Sequence, residues 1–167
     1  MYRKLIVLAL AAATLAVGNA SALTSPQTAN FTVQIKIQNS CSITASNIDF
    51  GTHADAATAY NEATAGTVAV TCAGKGPVVV TLNAGTNNPV YGSSQMKFGS
   101  NFVGYALYNA ANGSGLLGDG TGTTNYVFNG TSTGAAQSFT IHGYTNTSGG
   151  PVPDGVYTDS VTATVTF

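Results

Sequence analysis

The chain has 167 residues, of which 44% are hydrophobic and only 7% charged, with a formal net charge of −1. Beyond Arg3 and Lys4 the cations are Lys36, Lys75 and Lys97, too few and too scattered to neutralise a run of phosphates, so nucleic acid is not an expected partner. Six carboxylates (Asp49, Asp55, Glu62, Asp119, Asp154 and Asp159) leave the remainder net negative, and Thr, Ser, Asn and Gly must supply the rest of its polar surface.

Arg3 and Lys4 precede the uncharged apolar run Leu5 to Val17, and small residues follow at Ala20-Ser21-Ala22. That is the layout of a secretory signal peptide, cleaved after Ala20 or Ala22, with an apolar core too short to span a bilayer. The expected organisation is a signal peptide at 1–22, an N-terminal extension at 23–40 and one β-domain at 41–167, the size of a single core. No later apolar run is long enough to serve as a membrane anchor.

A polar leader, Thr24 to Asn30, gives way to period-two alternation: Phe31, Val33, Ile35 and Ile37 against Thr32, Gln34, Lys36 and Gln38. Cys41 and Cys72 are the two cysteines, and an even pair in an exported chain predicts one disulfide, worth roughly 3–4 kcal/mol for a loop of this length. A metal site would need further ligands, and the histidines are His53 and His142 alone, so neither metal nor cofactor is expected. Val68, Val70 and Cys72 alternate with Thr67, Ala69 and Thr71; Val78, Val80 and Leu82 follow Pro77. Phe102 to Tyr108 carries apolar residues at both parities, leaving its register open, and Gly-rich Asn112 to Thr124 reads as a long loop. Phe139 and Ile141 share one face, with Thr140 and a solvent-facing His142 on the other. The last run alternates Val161, Ala163, Val165 and Phe167 with Thr162, Thr164 and Thr166. Turns fall at 73–76, 85–89, 99–101 and 148–151. The reading is an all-β, immunoglobulin-like antiparallel sandwich of six or seven strands.

Nothing in the pattern signals an enzyme. His53 falls in a loop with no nucleophile or orienting group in a recognisable arrangement, and the carboxylates form no paired motif. Gly118-Asp119-Gly120-Thr121-Gly122 lacks the repeated acidic ligands of a calcium loop and the Gly-Lys-Ser/Thr ending of a phosphate loop. Tyrosines such as Tyr105, Tyr108 and Tyr157 read as sheet packing.

Four segments carry a family resemblance: Asn39-Ser40-Cys41-Ser42-Ile43 with Asn47-Ile48-Asp49-Phe50-Gly51, then Thr67 to Cys72, then Gly104-Tyr105-Ala106-Leu107-Tyr108, and finally Gly155 to Phe167. In that order and spacing they resemble the spore coat protein U family, which includes subunits of archaic chaperone–usher pili. It departs from the family pattern at the neutral Asn109-Ala110-Ala111, where charged residues are common. The resemblance implies a sandwich lacking one strand, its groove filled first by a periplasmic chaperone. At an outer-membrane usher, the N-terminal segment of another pilin subunit then takes the chaperone's place. The matching donor residues are Phe31, Val33, Ile35 and Ile37, and the strand bordering the groove and facing the chaperone carries Val161, Ala163, Val165 and Phe167. Surface adhesion and biofilm formation at the cell surface follow as the expected role. Two other readings are a self-contained coat protein and a carbohydrate-binding module.

Overall fold

The computed structural model describes residues 26–121, 125–146 and 150–167; the signal-peptide expectation for 1–22 lies outside them. The chain divides into an N-terminal unit ending at Lys36 and a body from Ile37 to Phe167. The described residues of the body are all-β and form eight strands, rather than six or seven: β1 Cys41–Ala45, β2 Gly66–Cys72, β3 Gly76–Leu82, β4 Ser94–Phe98, β5 Asn101–Tyr108, β6 Phe128–Ser132, β7 Gln137–Thr145 and β8 Ala163–Thr166. They form a five-stranded sheet ordered β1-β2-β7-β5-β4 and a three-stranded sheet ordered β6-β3-β8, with every ladder antiparallel.

The period-two runs set which side chains meet. Val68, Val70 and Cys72 of β2 face Val78, Val80 and Leu82 of β3, all 1–3% exposed, and Ile141 of β7, Phe128 of β6 and Leu117 complete the buried cluster. Alternation in β2 and β3 turns one parity into this core and leaves Thr67, Ala69 and Thr71 outward. Pro77 is tolerated because it stands at the start of β3, paired with Thr131 of β6, where β8 does not reach: the β8 ladder begins at Val79.

Three expectations are refined. The register of β5 is settled with Val103, Tyr105 and Leu107 inward; Ala106 on the opposite parity is buried too, which is why alternation there is illegible. The Gly-rich stretch after Asn112 has no strand among its described residues, which run to 121, but it folds back through single bridges at Leu116 and Leu117 and places Leu117 in the core at 3% exposure. His142 does not simply face solvent: its Nδ1 donates to Glu62 Oε1 at 2.7 Å, and Glu62 Oε2 accepts from the Gly143 amide at 2.8 Å, so residues 60–64 strap the outer face of β7. Burial works to raise the Glu62 carboxyl, but the bonds from His142 and Gly143 hold it below its ordinary range.

Residues 26–40 carry no strand. Alternation supplies a face, but extended backbone becomes a strand only where its N–H and C=O groups find a partner edge.

Candidate functional site

The two sheets end in unlike ways along the line where β1 meets β8. β1 pairs with β2 alone and β8 with β3 alone, so among the described residues each presents one free edge. Along that line the core is thinly covered. Cys41 and Ile43 of β1 and Val161, Ala163 and Val165 in and before β8 pack against the cluster yet stay half-buried, while the central valines they flank are 1–2% exposed. At one end the seam opens into a cleft of about 360 Å³ whose walls include Ala45, Val68, Leu82, Leu107, Ile141 and Val161. Its floor is core side chain. An extended segment laid between β1 and β8 could pair with their free edges and send alternate side chains into it.

The expected site residues separate into three groups. Cys41 and Cys72 are disulfide-bonded and directly opposed in the β1–β2 register. Val161 and Ala163 line the cleft, Val165 continues the same parity along β8, and Phe167 stands past its end, 54% exposed. Phe31, Val33, Ile35 and Ile37 are 87%, 84%, 81% and 82% exposed, the four most exposed large apolar side chains among the described residues. A row of such side chains left in water, all of one parity, is the kind of feature that marks an unfilled contact.

Sequence reasoning missed what holds the cleft's rim. Asp159, just ahead of Val161, accepts at Oδ2 from the Tyr105 hydroxyl (2.8 Å) and at Oδ1 from the Thr86 amide (3.0 Å), the Thr86 hydroxyl (2.8 Å) and the Ser160 amide (2.8 Å). Asn87 Nδ2 adds a bond to the same oxygen and others to the carbonyls of Gln95 and Thr158. Asn83 Oδ1 takes the Thr162 amide at 2.8 Å, and Asn83 N donates to Thr162 O at 3.0 Å. Together these bonds fasten residues 158–162 to the loop after β3. Gly85 has φ +88°, and a Cβ there would stand 2.0 Å from Asp159 Oδ2, so the carboxylate requires glycine at that turn. Burial raises the Asp159 carboxyl, but the donors from Tyr105, Thr86 and Ser160 outweigh it and hold it below the ordinary range. Burial, with the bond to Asp159, pushes the Tyr105 hydroxyl well above the ordinary phenol range. The signal available in sequence was a lone Asp immediately before an alternating run in a charge-poor chain.

The remaining candidates make local contacts. His53 stacks on Tyr60 with ring centroids 3.6 Å apart and donates from Nε2 to the Phe50 carbonyl at 2.6 Å. Asp119 accepts from the amide and hydroxyl of Thr121, closing its own loop. Among the described residues no three His, Cys, Asp or Glu side chains gather as a metal site would require, and no helix is long and apolar enough to cross a membrane.

Comparison with known proteins agrees with this architecture. The chain is similar to a chain in the crystal structure of the CsuC–CsuE chaperone–tip adhesion subunit pre-assembly complex from archaic chaperone–usher Csu pili of Acinetobacter baumannii. The TM-score is 0.51 at 20% identity, over 78% of this chain and 40% of that one. A likeness at that identity speaks for the fold, and the present chain spans well under half of the solved one. No curated protein matches. The profile of the Spore Coat Protein U domain matches residues 27–164, from within the polar leader into β8, and so takes in both the exposed apolar row and the seam. The chain belongs to the Spore Coat Protein U domain family.

Proposed function

We propose that the protein is a structural subunit of a chaperone–usher pilus. Residues Phe31–Ile37 of one copy enter the β1–β8 seam of another, and polymerisation repeats that exchange. The single observation that carries this reading is the coexistence, in one chain, of a thinly covered apolar seam with two free edges and an apolar row of matching period that is 81–87% exposed. Burying four such side chains would yield roughly 6–12 kcal/mol gross, and pairing the free edges of β1 and β8 removes a template for uncontrolled aggregation. The family membership, and the resemblance of the fold to a subunit from a pilus assembled with a chaperone, support the same reading.

The extension is then residues 23–40, delivered behind an export signal at 1–22. A periplasmic chaperone holds the seam before an outer-membrane usher passes the subunit on, and the finished fibre stands at the cell surface in adhesion and biofilm formation. Co-expression tests the central exchange. Expressed alone in the cell, the chain should be unstable and accumulate poorly; with its chaperone it should accumulate as a soluble one-to-one complex. In that complex Ile35→Asp should leave the yield unchanged and abolish polymer, because a charge does not enter an apolar groove cheaply. Normal polymers from that variant would remove Phe31–Ile37 from the role.

A further inference from the structure

If Phe31–Ile37 is donated as proposed above, the bodies of successive copies are drawn together as well. Gln38, Asn39 and Ser40 alone separate Ile37 from Cys41, where β1 begins. Asn39 and Ser40 are already fixed to the body: Asn39 Oδ1 accepts from the Gly74 amide at 2.7 Å and from the Ser40 amide at 3.0 Å, and the Ala73 amide donates to Ser40 O at 2.9 Å. Extended chain covers at most about 3.6 Å per residue, so Ile37 lies within roughly 11 Å of Ser40. An Ile37 seated in a neighbour's seam therefore brings the Ala73–Lys75 turn of its own body against that neighbour. There is no slack for a flexible joint.

The two ends of the body differ in charge. The end carrying Cys41, Cys72 and the β2–β3 turn exposes Lys75. At the opposite end, where Ala45 and Val161 border the cleft, stands Asp159, and an adjoining cleft of about 490 Å³ is lined by the exposed Asp49, Asp55 and Asp154. The two clefts share Ile48, Phe50 and Tyr157. Lys97 is also at this end, bridged to Thr158 with its Nζ 5.6 Å from the Phe102 ring centroid, and it leaves the end net negative. Register fixes the polarity of the seam: Ala163 pairs Leu82 and Thr166 pairs Val79, so β8 runs from the acidic end towards the Lys75 end. A donated strand antiparallel to β8 would leave the seam at the acidic end, meeting its own body's Lys75 with opposite charge. A parallel one would set Lys75 against Lys75. We propose that the Lys75 end of each body docks directly on the Asp49–Asp154 end of the next copy, a second and polar joint beside the donated strand. Charge complementarity of this kind fixes orientation and register and speeds encounter.

Polymers grown from an equal mixture of isotope-labelled and unlabelled chains test the contact, after treatment with a zero-length carbodiimide and digestion. Bridges joining Lys75 of one isotope to Asp49, Asp55 or Asp154 of the other are expected. In parallel, Lys75→Glu should lower polymer yield severalfold at low ionic strength, adding Asp154→Lys should restore it, and high salt should erase the difference. Polymers that form normally, remain sensitive to Ile35→Asp and yet give no mixed-isotope bridge from Lys75 would overturn the docking and leave the donated strand standing. An unchanged yield from Lys75→Glu at low salt would overturn it as well. A chain that never polymerises, even when supplied by its chaperone, would overturn both.

Discussion

The two sheets approach each other at two strand pairs, edge strand β6 with the central strand β7 and edge strand β1 with edge strand β8, and the two are built differently. On one side β6 and β7 are consecutive, joined by the short turn after Ser132; Phe128 and Phe139 stack across it with centroids 4.9 Å apart, and Gln137 Nε2 donates to Thr131 O. Leu117, returned by the Gly-rich loop, lies in the same core cluster at 3% exposure. On the other side β1 and β8 come from opposite ends of the body. As the first and last strands they share no hairpin, and their inward side chains stay half-buried. A seam closed by a short covalent connection holds its own aromatic cover, whereas the one between the two ends of the body leaves its inward side chains half-buried, the condition the proposed donor strand would relieve.

The largest effect that would sharpen this contrast is at the disulfide. The Cys41–Cys72 bond, at a sequence separation of 31, keeps β1 on β2, although among the described residues β1 has no second neighbour strand. Cys41→Ser should cost about 3–4 kcal/mol and release β1 first, so that hydrogen exchange rises in Ser42–Ala45 before it rises in β3 or β7. Uniform exchange across both seams would contradict the contrast.

Truncations come next. Leu117→Ala, in the closed region, should cost the chaperone-free body about 2–4 kcal/mol by opening a cavity. Val165→Ala, at the open seam, should cost the body under about 1 kcal/mol, since its side chain is already half in water, but should weaken binding of a synthetic Phe31–Ile37 peptide by more than that. Denaturant titration and peptide binding measure the two. Equal losses of stability would erase the difference between the seams.

The smallest expected effect concerns the rim. Asp159→Asn should cost about 1–2 kcal/mol, held low because the carboxylate is partly exposed. Asp159 and Glu62 both have folded-state carboxyls held below their ordinary ranges. Their contribution is therefore complete above the unfolded carboxylate value, near pH 4, and is lost as pH falls through the lower folded values. Urea midpoints should stay level through neutral pH and drop below about pH 4, and Asp159→Asn should flatten that drop. A midpoint that fell instead on raising the pH from 6 to 8 would assign the linkage to other groups.

Much of this was legible in the chain itself. The strands β2, β3, β7 and β8 announce themselves because one face is buried and one wet, the condition under which alternation records burial. The cysteine pair and the odd apolar row at Phe31–Ile37 were visible for the same compositional reasons. β4 and β6 were not: in the short Ser94–Phe98 the fully buried residue is a serine, in Phe128–Ser132 glycine and serine share the face of Phe128, and β6 holds its place through Phe128 and the hydroxyl of Ser132 bonded to the Gly74 carbonyl. β5 hid its register because Ala106 is buried opposite Tyr105. The Asp159 network joins residues 54 to 73 positions apart, and no local pattern encodes such a meeting. The strap over β7 was hidden in the same way, since Glu62 and His142 lie 80 residues apart.

The central claim is that the β1–β8 seam is short of one strand and that Phe31–Ile37 is its complement. A single chain can carry both parts: a second copy of residues 31–37 appended behind Phe167 through a hairpin-length turn, which would run antiparallel to β8, with the original segment removed. That chain should fold without any chaperone as a soluble monomer that does not polymerise, with a thermal midpoint well above that of the body lacking the appended strand. An unchanged midpoint, with the appended residues as open to hydrogen exchange as a disordered tail, would show that the seam has no vacancy for them.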